Sequence, residues 1–227
     1  CYQTVSYGFR AERSTTDAAL KLKRIAARAI KRRQFCVGIS LDTKNAFNSM
    51  SWPKITDALR HAKVLAYPQN ILGSYLDCQW TEAETSVSTV RRRAVTAGVP
   101  QDSVLGPTLW NTGFNGILKL RPPPGVQLPC YADDTLVIAC ADAVAEVERM
   151  VNEAFDALTK WIVLAEWELA VDKTEVMLFT KRRKFRPPVF TLQGKKIGIS
   201  ASFKYLGLWF DKTISFRRSF PPRGREN

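Results

Sequence analysis

Apolar residues recur along the chain with two spacings, one typical of helices and the other of strands. After Ser14-Thr15-Thr16-Asp17 they return every three to four positions, which predicts an amphipathic helix that begins at a capping box. A second helix is predicted from Trp52 to about Ala62, with Ser51 as its cap and Pro53 in its first turn. The remaining predicted helices cover residues 108–118 and 142–165.

Strict alternation of apolar and other residues over positions 35–41 predicts a strand that ends at Asp42. Residues 126–131 and 135–139 flank Ala132-Asp133-Asp134, which predicts a short hairpin with the aspartates at its tip. Another hairpin is predicted between about Leu76 and Ala97. The later predicted strands are Val176–Thr180, Val189–Leu192 and Phe203–Phe210.

Hairpins that are interleaved with helices indicate an α+β domain, in which an antiparallel sheet carries its helices on one face. If the strand that ends at Asp42 lies beside the aspartate hairpin, Asp42 approaches Asp133 and Asp134. Three carboxylates at strand ends are the ligands that two Mg²⁺ ions need in phosphoryl or nucleotidyl transfer. The alternative is a solvated turn, since an aromatic-x-Asp-Asp string arises by chance in ~5% of chains this long.

The chain has a net charge of +13 and a pI near 9.8, which favours a polyanionic partner, most simply a nucleic acid. A basic protein without such a partner is the alternative. The helix after Ser14 carries many of these cations, and Lys181-Arg182-Arg183-Lys184 with Arg186 forms a second basic cluster. For the helix, a solvated face and a nucleic-acid contact both remain open.

Other classes of site have little support in the composition. The five cysteines are scattered and His61 is the one histidine, which argues against a zinc site or a Ser-His-Asp triad. Without framework spacing the cysteines fit a reduced intracellular compartment. No run of 18 apolar residues occurs, so we expect no membrane span. Because the chain begins at Cys1 without an initiator Met, we expect a piece of a longer protein without a signal peptide.

Eight short blocks occur in the order seen in reverse transcriptases, and the chain resembles those of the non-long-terminal-repeat, LINE-like retrotransposons of animals. The similarity covers about Tyr7 to Asp211. The blocks are Tyr7-Gly8-Phe9-Arg10, Arg13-Ser14-Thr15, Leu41-Asp42 with Asn45-Ala46-Phe47-Asn48-Ser49, Gly98-Val99-Pro100-Gln101, Ser103-Val104-Leu105-Gly106-Pro107, Tyr131-Ala132-Asp133-Asp134, Lys173-Thr174-Glu175 and Lys204-Tyr205-Leu206-Gly207.

This resemblance implies a right-hand polymerase palm with part of the fingers and no thumb. It places the partial fingers at residues 1–34, the palm at about 35–216 and a divergent basic tail at 217–227. The implied activity is RNA-directed DNA synthesis by a two-metal mechanism, which in an active protein takes place in the nucleus. The implied partners are an RNA template, a DNA primer, deoxynucleoside triphosphates and the remainder of a retroelement polyprotein.

The resemblance also assigns roles to single residues. The metal ligands for two Mg²⁺ ions, or Mn²⁺, are Asp42, the Thr43 carbonyl, Asp133 and Asp134. Lys173 resembles the lysine that approaches the pyrophosphate leaving group, and Phe47 the ring beneath the incoming sugar. The other implied nucleotide or template contacts are Gln101, Asn111, Arg10 and Arg13. The implied primer grip is Tyr205, Leu206 and Gly207.

Two residues depart from the family pattern. Similar proteins have Gly where this chain has Asp102, and usually Gly where it has Glu12. Glycine permits a positive φ or a close backbone approach, so either change weakens the expectation of activity. A decayed copy that binds nucleic acid without catalysis is therefore the alternative function. An unrelated metal nuclease or cyclase-like palm would share the paired aspartates, but it would not explain the Gly98–Gln101 and Lys204–Gly207 blocks.

Overall fold

The computed structural model describes residues 4–77, 79–84, 90–100, 102–212, 214 and 217–218 of the 227-residue chain. The helices of this part are α1 (Thr15–Lys31), α2 (Ala46–Ser49), α3 (Trp52–His61), α4 (Ala66–Asp77), α5 (Gly106–Phe114) and α6 (Val144–Leu164). The strands are β1 (Thr4–Ser6), β2 (Phe35–Leu41), β3 (Trp80–Glu84), β4 (Val90–Ala94), β5 (Val126–Tyr131), β6 (Asp134–Ala141), β7 (Glu175–Phe179), β8 (Phe190–Leu192), β9 (Lys195–Ile197), β10 (Ser202–Tyr205), β11 (Leu208–Asp211) and β12 (Arg217–Arg218).

The chain divides into two compact units. The first comprises Cys1–Lys44, Ile117–Val163 and Glu168–Asn227, and the second comprises Asn45–Gly116 and Leu164–Trp167. The predicted division into fingers at residues 1–34 and palm at 35–216 stays a prediction.

The first unit is built on a five-stranded sheet in the order β1-β5-β6-β2-β7. Its strands pair antiparallel, except that β1 runs parallel to β5 at the edge. The α+β class is confirmed, and the sheet is mixed because the short β1, which the apolar pattern did not reveal, adds one parallel pair. The central strand β2 is buried along almost its whole length, with β6 on one side and β7 on the other.

Helix α1 covers one face of this sheet, and its sequence explains both its start and its orientation. The predicted capping box is present: the Ser14 hydroxyl accepts from the Asp17 N–H, and the Asp17 carboxylate accepts from the Ser14 N–H. The buried stripe includes Ala18, Leu22 and Ala26, which share a core with residues of β2, β6, β7, β10 and β11. Burial of this stripe turns the lysines and arginines of α1 toward the surface.

The second unit contains α2 to α5 and the β3–β4 hairpin. Its core includes a stack of aromatic rings, with Phe47 on Trp110 at 4.1 Å between ring centroids and Trp110 on Trp167 at 5.5 Å. Helix α3 begins where Ser51-Trp52-Pro53 predicted, with proline in the first turn. The expected helix at 108–118 is α5 followed by a 3₁₀ turn at Asn115–Lys119.

Two secondary-structure predictions were wrong. The hairpin predicted from Leu76 begins at Trp80, because α4 extends through Asp77. Helix α4 was not predicted from the sequence because of Pro68. Proline is nevertheless tolerated in the first turn of a helix, where backbone N–H groups have no hydrogen-bond partner within the helix. The single strand predicted at 203–210 is a hairpin of β10 and β11, which turns at Leu206 and Gly207.

Candidate active site

The β2–β6 register brings the two aspartate segments together in the first unit. Leu41 pairs with Thr135 across these antiparallel strands, so one further step places Asp42 opposite Asp134. Residues directly opposite in such a pair have Cβ atoms roughly 5 Å apart. The convergence that the sequence predicted for Asp42 and the aspartate hairpin follows from this register.

Asp133 lies in the two-residue turn between β5 and β6, and Asp134 is the first residue of β6. Tyr131 and Asp134 close the turn, and Ala132 within it has a φ of +51°. A left-handed conformation is uncommon for a residue with a Cβ, and such strain clusters at functional sites. The turn therefore fixes the direction of Asp133 at the expense of local backbone strain.

The protonation behaviour of the hairpin aspartates reflects their half-buried position. Burial raises the pKa of the Asp133 carboxyl; a hydrogen bond to its own backbone opposes this rise, and the neighbouring Asp42 adds to it. Burial, followed by the charges of Asp133 and Asp42, raises the pKa of Asp134 to about 6. Both carboxylates therefore favour the approach of a cation.

Lys173 supplies one cation to this site. It ends a 3₁₀ turn at Val171–Lys173, and its Nζ lies 3.3 Å from Asp42 Oδ2. The Lys173 side chain is 74% exposed and that of Asp42 is 34% exposed, so the pair contributes little to stability. The turn itself is held in place because Ala170 N–H donates to the Asp42 carbonyl at 2.9 Å.

The donor chemistry of these residues fits a divalent cation. Three carboxylates repel one another here, one lysine pairs with Asp42 alone, and the pKa values of Asp133 and Asp134 are raised, so the site carries an excess of negative charge. In their present positions the described side chains include no group of three or more His, Cys, Asp or Glu that could hold a metal ion. The argument for a divalent cation therefore rests on the negative charge of the aspartates and not on the distances between their carboxylates.

Thr43, the expected source of a neutral ligand oxygen, is buried beside the aspartates and bridges to Leu169. The flanking hydrogen bonds run from Lys44 N–H to the Glu168 carbonyl and from Ala170 N–H to the Asp42 carbonyl. In this antiparallel pattern the Thr43 carbonyl points away from Leu169. This orientation is compatible with the predicted role of the Thr43 carbonyl as a metal ligand.

The predicted primer-grip residues form the β10–β11 turn. Leu206 and Gly207 have φ values of +49° and +77°, the pattern of a type I′ hairpin, in which glycine is favoured. Tyr205 is only 1% exposed, and burial raises the pKa of its hydroxyl. Its aromatic face is therefore enclosed in the core, and any contact with a primer falls to the exposed turn.

The remaining predicted site residues belong to both units. Arg10 and Arg13 are exposed in the first unit, with the Arg13 guanidinium 5.4 Å from the centre of the Tyr7 ring. Phe47 and Asn111 are half-buried residues of α2 and α5 in the second unit. Gln101 lies outside the described residues.

Gly8 has a positional role that the sequence pattern did not reveal. A Cβ at this position would lie 2.1 Å from the Ala132 backbone nitrogen and 2.9 Å from its Cα. Only glycine permits the chain to run so close beneath the aspartate hairpin. Its place in the Tyr7-Gly8-Phe9-Arg10 block was the available signal in the sequence, although the block does not identify Ala132 as its neighbour.

Both departures from the family pattern occupy left-handed backbone. Glu12 and Asp102 each have a φ of +57°. The expectation that glycine suits these positions because of a positive φ therefore agrees with the geometry.

None of the described helices is both long and apolar enough to span a membrane.

Comparison with curated proteins finds relatives among mobile-element polymerases. The chain is 28% identical over 223 residues to the RNA-directed DNA polymerase from mobile element jockey of Drosophila funebris. It is 27% identical over 210 residues to a putative 115 kDa protein in the type-1 retrotransposable element R1DM of Drosophila melanogaster. These alignments cover 93% and 92% of this chain but only 24% and 20% of the relatives, so the chain spans about a quarter of their length.

Solved structures show the same fold at low sequence identity. Telomerase from Candida albicans, in complex with a fragment of telomeric RNA, aligns over 91% of this chain and 34% of its own, with a TM-score of 0.61 and 13% identity. An apo telomerase from Candida tropicalis, truncated from its C-terminal domain, aligns over 96% of this chain and 41% of its own, with a TM-score of 0.62 and 11% identity. The predicted right-hand polymerase fold is confirmed.

The family model for reverse transcriptase (RNA-dependent DNA polymerase) matches residues 1–210. This match covers all eight sequence blocks and confirms the resemblance that they carry. The chain therefore belongs to the reverse transcriptase family, and its curated relatives include the RNA-directed DNA polymerase of jockey and a protein of the R1DM retrotransposable element.

Proposed function

We propose that this chain supplies the catalytic palm for DNA synthesis on an RNA template. The observation that carries the proposal is the β2–β6 register, which puts Asp42 opposite Asp134 in a chain of this family. Separately, Lys173 Nζ lies 3.3 Å from Asp42 Oδ2. In the proposed reaction the primer 3′-hydroxyl loses its proton to water, and its oxygen bonds to the α-phosphorus of a deoxynucleoside triphosphate. The bond from that phosphorus to the bridging oxygen breaks, and pyrophosphate leaves.

Asp42, Asp133 and Asp134, with the Thr43 carbonyl, would hold two Mg²⁺ ions. When bound, such ions supply charge neutralisation at the attacking and leaving oxygens. The contribution of the chain is to hold anionic donors at the ends of rigid strands, where burial makes their unpaired charge costly. A cation relieves that cost, which gives the site affinity for it.

Lys173 is the residue that we assign to the leaving group. Its Nζ lies beside Asp42 on an exposed side chain, so it can turn from the carboxylate toward a phosphate without unfolding the turn that carries it. A cation near the departing pyrophosphate stabilises the negative charge that accumulates there in the transition state.

A chimera tests the proposal, because the chain spans about a quarter of its curated relatives. The matched segment of the jockey polymerase is replaced by this chain, and incorporation of deoxynucleotides is measured on a primed RNA template with Mg²⁺. Asp42→Asn and Asp133→Asn should each lower incorporation by orders of magnitude, whereas Asp156→Asn, an exposed residue of α6, should not. Equal incorporation by the Asp42 and Asp156 variants would overturn the proposal.

Binding of Mn²⁺ to the 227-residue chain, followed by electron paramagnetic resonance, tests the metal site without activity. The unsubstituted chain should bind the ion more tightly than Asp42→Asn or Asp133→Asn, and as tightly as Asp156→Asn.

A second candidate function is that of a decayed copy that binds nucleic acid without catalysis. The observation that favours it is the left-handed backbone of Glu12 and Asp102, where similar proteins have glycine. An inert chimera that gains incorporation on Asp102→Gly would identify the aspartate as an inactivating change.

A further inference from the structure

We propose that this chain carries a second nucleic-acid contact, remote from the aspartates, that binds the phosphate backbone of a strand. We call it the basic surface. Its residues are Arg28, Lys31, Arg32, Arg33, Lys181, Arg182, Arg183 and Lys184, all of which are exposed.

Strand pairing assembles this surface from two distant segments. Helix α1 ends at Lys31, immediately before β2, and the second segment follows β7. Because β2 and β7 are antiparallel, with Cys36 opposite Phe179, the end of α1 and the start of the 181–184 segment meet at the same end of the sheet. The two basic segments of the sequence therefore form one surface.

Specific contacts fix the second segment against the first. Arg182 Nε donates to the Arg33 carbonyl at 2.8 Å, across 149 positions of sequence. The Arg182 guanidinium lies 4.9 Å from the centre of the Phe35 ring, and Phe185 packs edge-on against the same ring at 5.2 Å. Arg182 is therefore a positioning residue, and the other cations are held near one another by the backbone that it anchors.

The charge of the basic surface is largely uncompensated. No ion pair in the described part of the chain includes any of its eight residues. The acids at the nearby start of α6 are matched by other cations, Glu146 by Arg149 at 2.8 Å and Glu148 by Arg186 at 3.9 Å. Asp142 follows β6 at this end and contributes one negative charge against the eight positive charges of the basic surface.

One backbone feature of the basic surface is unfavourable for stability. Arg33 has a φ of +56°, just after α1, where Gly or Asn is the usual residue. Arginine at such a position is strained. Cations at the end of a helix interact favourably with its dipole, but that effect is small and does not require this residue.

The basic surface is distinct from the proposed active site. Asp42 follows the last residue of β2, and Phe35 is the first, so the two ends are roughly 23 Å apart at the usual rise of a strand. A nucleic-acid strand that binds the basic surface therefore lies outside the proposed active site. Arginine and lysine bind phosphates regardless of sequence, so the contact should be electrostatic and should accept both single strands and duplexes.

The test compares two variants of the full chain with matched charge. In the first, Lys31, Lys181 and Lys184 of the basic surface are changed to Gln. In the control, Lys119, Lys160 and Lys196, which are exposed elsewhere in the first unit, are changed to Gln. Fluorescence anisotropy measures the affinity for a 30-nucleotide single-stranded RNA, an RNA–DNA duplex and a DNA duplex between 50 and 200 mM salt, and circular dichroism verifies folding.

The first variant should bind RNA roughly 10- to 100-fold more weakly than the unsubstituted chain, and its log–log salt slope should be smaller by about 2. The control should stay within about threefold. Equal losses in both variants would show that only net charge matters, and an unchanged first variant would show that the surface does not bind; either result overturns the proposal. Loss of binding to phosphatidylserine vesicles with RNA binding intact would assign the surface to a membrane and would also overturn it.

Lysine acylation on the unsubstituted chain gives a second readout, which holds even if the first variant fails to fold. RNA should protect Lys31, Lys181 and Lys184 and leave Lys119, Lys160 and Lys196 reactive. Because Asp42→Asn and Asp133→Asn leave the basic surface intact, RNA should protect the same lysines in those variants. Protection of these lysines in the aspartate variants therefore tests the basic surface independently of the proposed active site.

Discussion

Gly8→Ala should disturb the proposed active site without touching any of its charged residues. The new Cβ would lie 2.1 Å from the Ala132 nitrogen, and real Cβ contacts essentially never fall below 3.0 Å, so the two segments must separate by about 0.9 Å. The obstructing atoms belong to backbone, which cannot swing aside as a flexible side chain can. Tyr7 N–H is also bound to the Cys130 carbonyl at 2.7 Å, so the separation strains the β1–β5 edge.

The cost of this substitution has two parts. Overpacking of a tight contact destabilises a protein by about 1–3 kcal/mol. A displacement near 1 Å of the turn that carries Asp133 can lower a catalytic rate by roughly 100-fold. Urea unfolding measures the first effect, Mn²⁺ binding by electron paramagnetic resonance reports on the aspartates, and the jockey chimera measures incorporation.

Gly198→Ala is the matched control, because no atom lies within 4 Å of the Cβ that it would add. It should change the free energy of unfolding by less than about 0.5 kcal/mol and leave Mn²⁺ binding unaltered. The reasoning is refuted if Gly8→Ala retains both the stability and the Mn²⁺ affinity of the unsubstituted chain.

Three further outcomes are expected. Glu12→Gly should raise the free energy of unfolding by about 0.5–1 kcal/mol in urea because its φ is +57°, while Glu12→Ala, which keeps the Cβ, should give no gain; equal gains would implicate the charge instead. The pKa of Asp134 is raised to about 6, so the folded chain retains a proton that the unfolded chain releases between about pH 4 and 6, and this carboxyl lowers stability as pH rises through that range. Without metal, Asp134→Asn should therefore be more stable than the unsubstituted chain at pH 7, by at most ~3 kcal/mol and by less after solvent screening. At pH 3 the two should be equally stable, and thermal melts that show no such difference between pH 3 and pH 7 would contradict the raised pKa of Asp134. Lys173→Gln should shift unfolding by less than about 1 kcal/mol because its ion pair is exposed, yet should lower kcat in the chimera more than it changes KM; a change in KM alone would place the lysine in ground-state binding.

Local patterns in the sequence determined many of the elements and the identity of the proposed ligands. The capping box at Ser14, the alternation in β2 and the buried stripe of α6 each depend on residues close in sequence, and each element was predicted. The eight ordered blocks were sufficient to indicate the family. Elements whose signals conflict locally were missed, such as α4 with its Pro68, and β10 and β11, which were read as one strand.

Tertiary structure alone decided which of these elements meet. The position of β2 between β6 and β7 brings Asp42 to Asp134 at one end of the sheet and joins α1 to the 181–184 segment at the other. The closeness of Gly8 to Ala132 and the burial of Tyr205 likewise arise from contacts between residues far apart in sequence. Periodicity indicates which face of a strand is buried, but its neighbours and register depend on how the whole chain satisfies its hydrogen bonds and core at once.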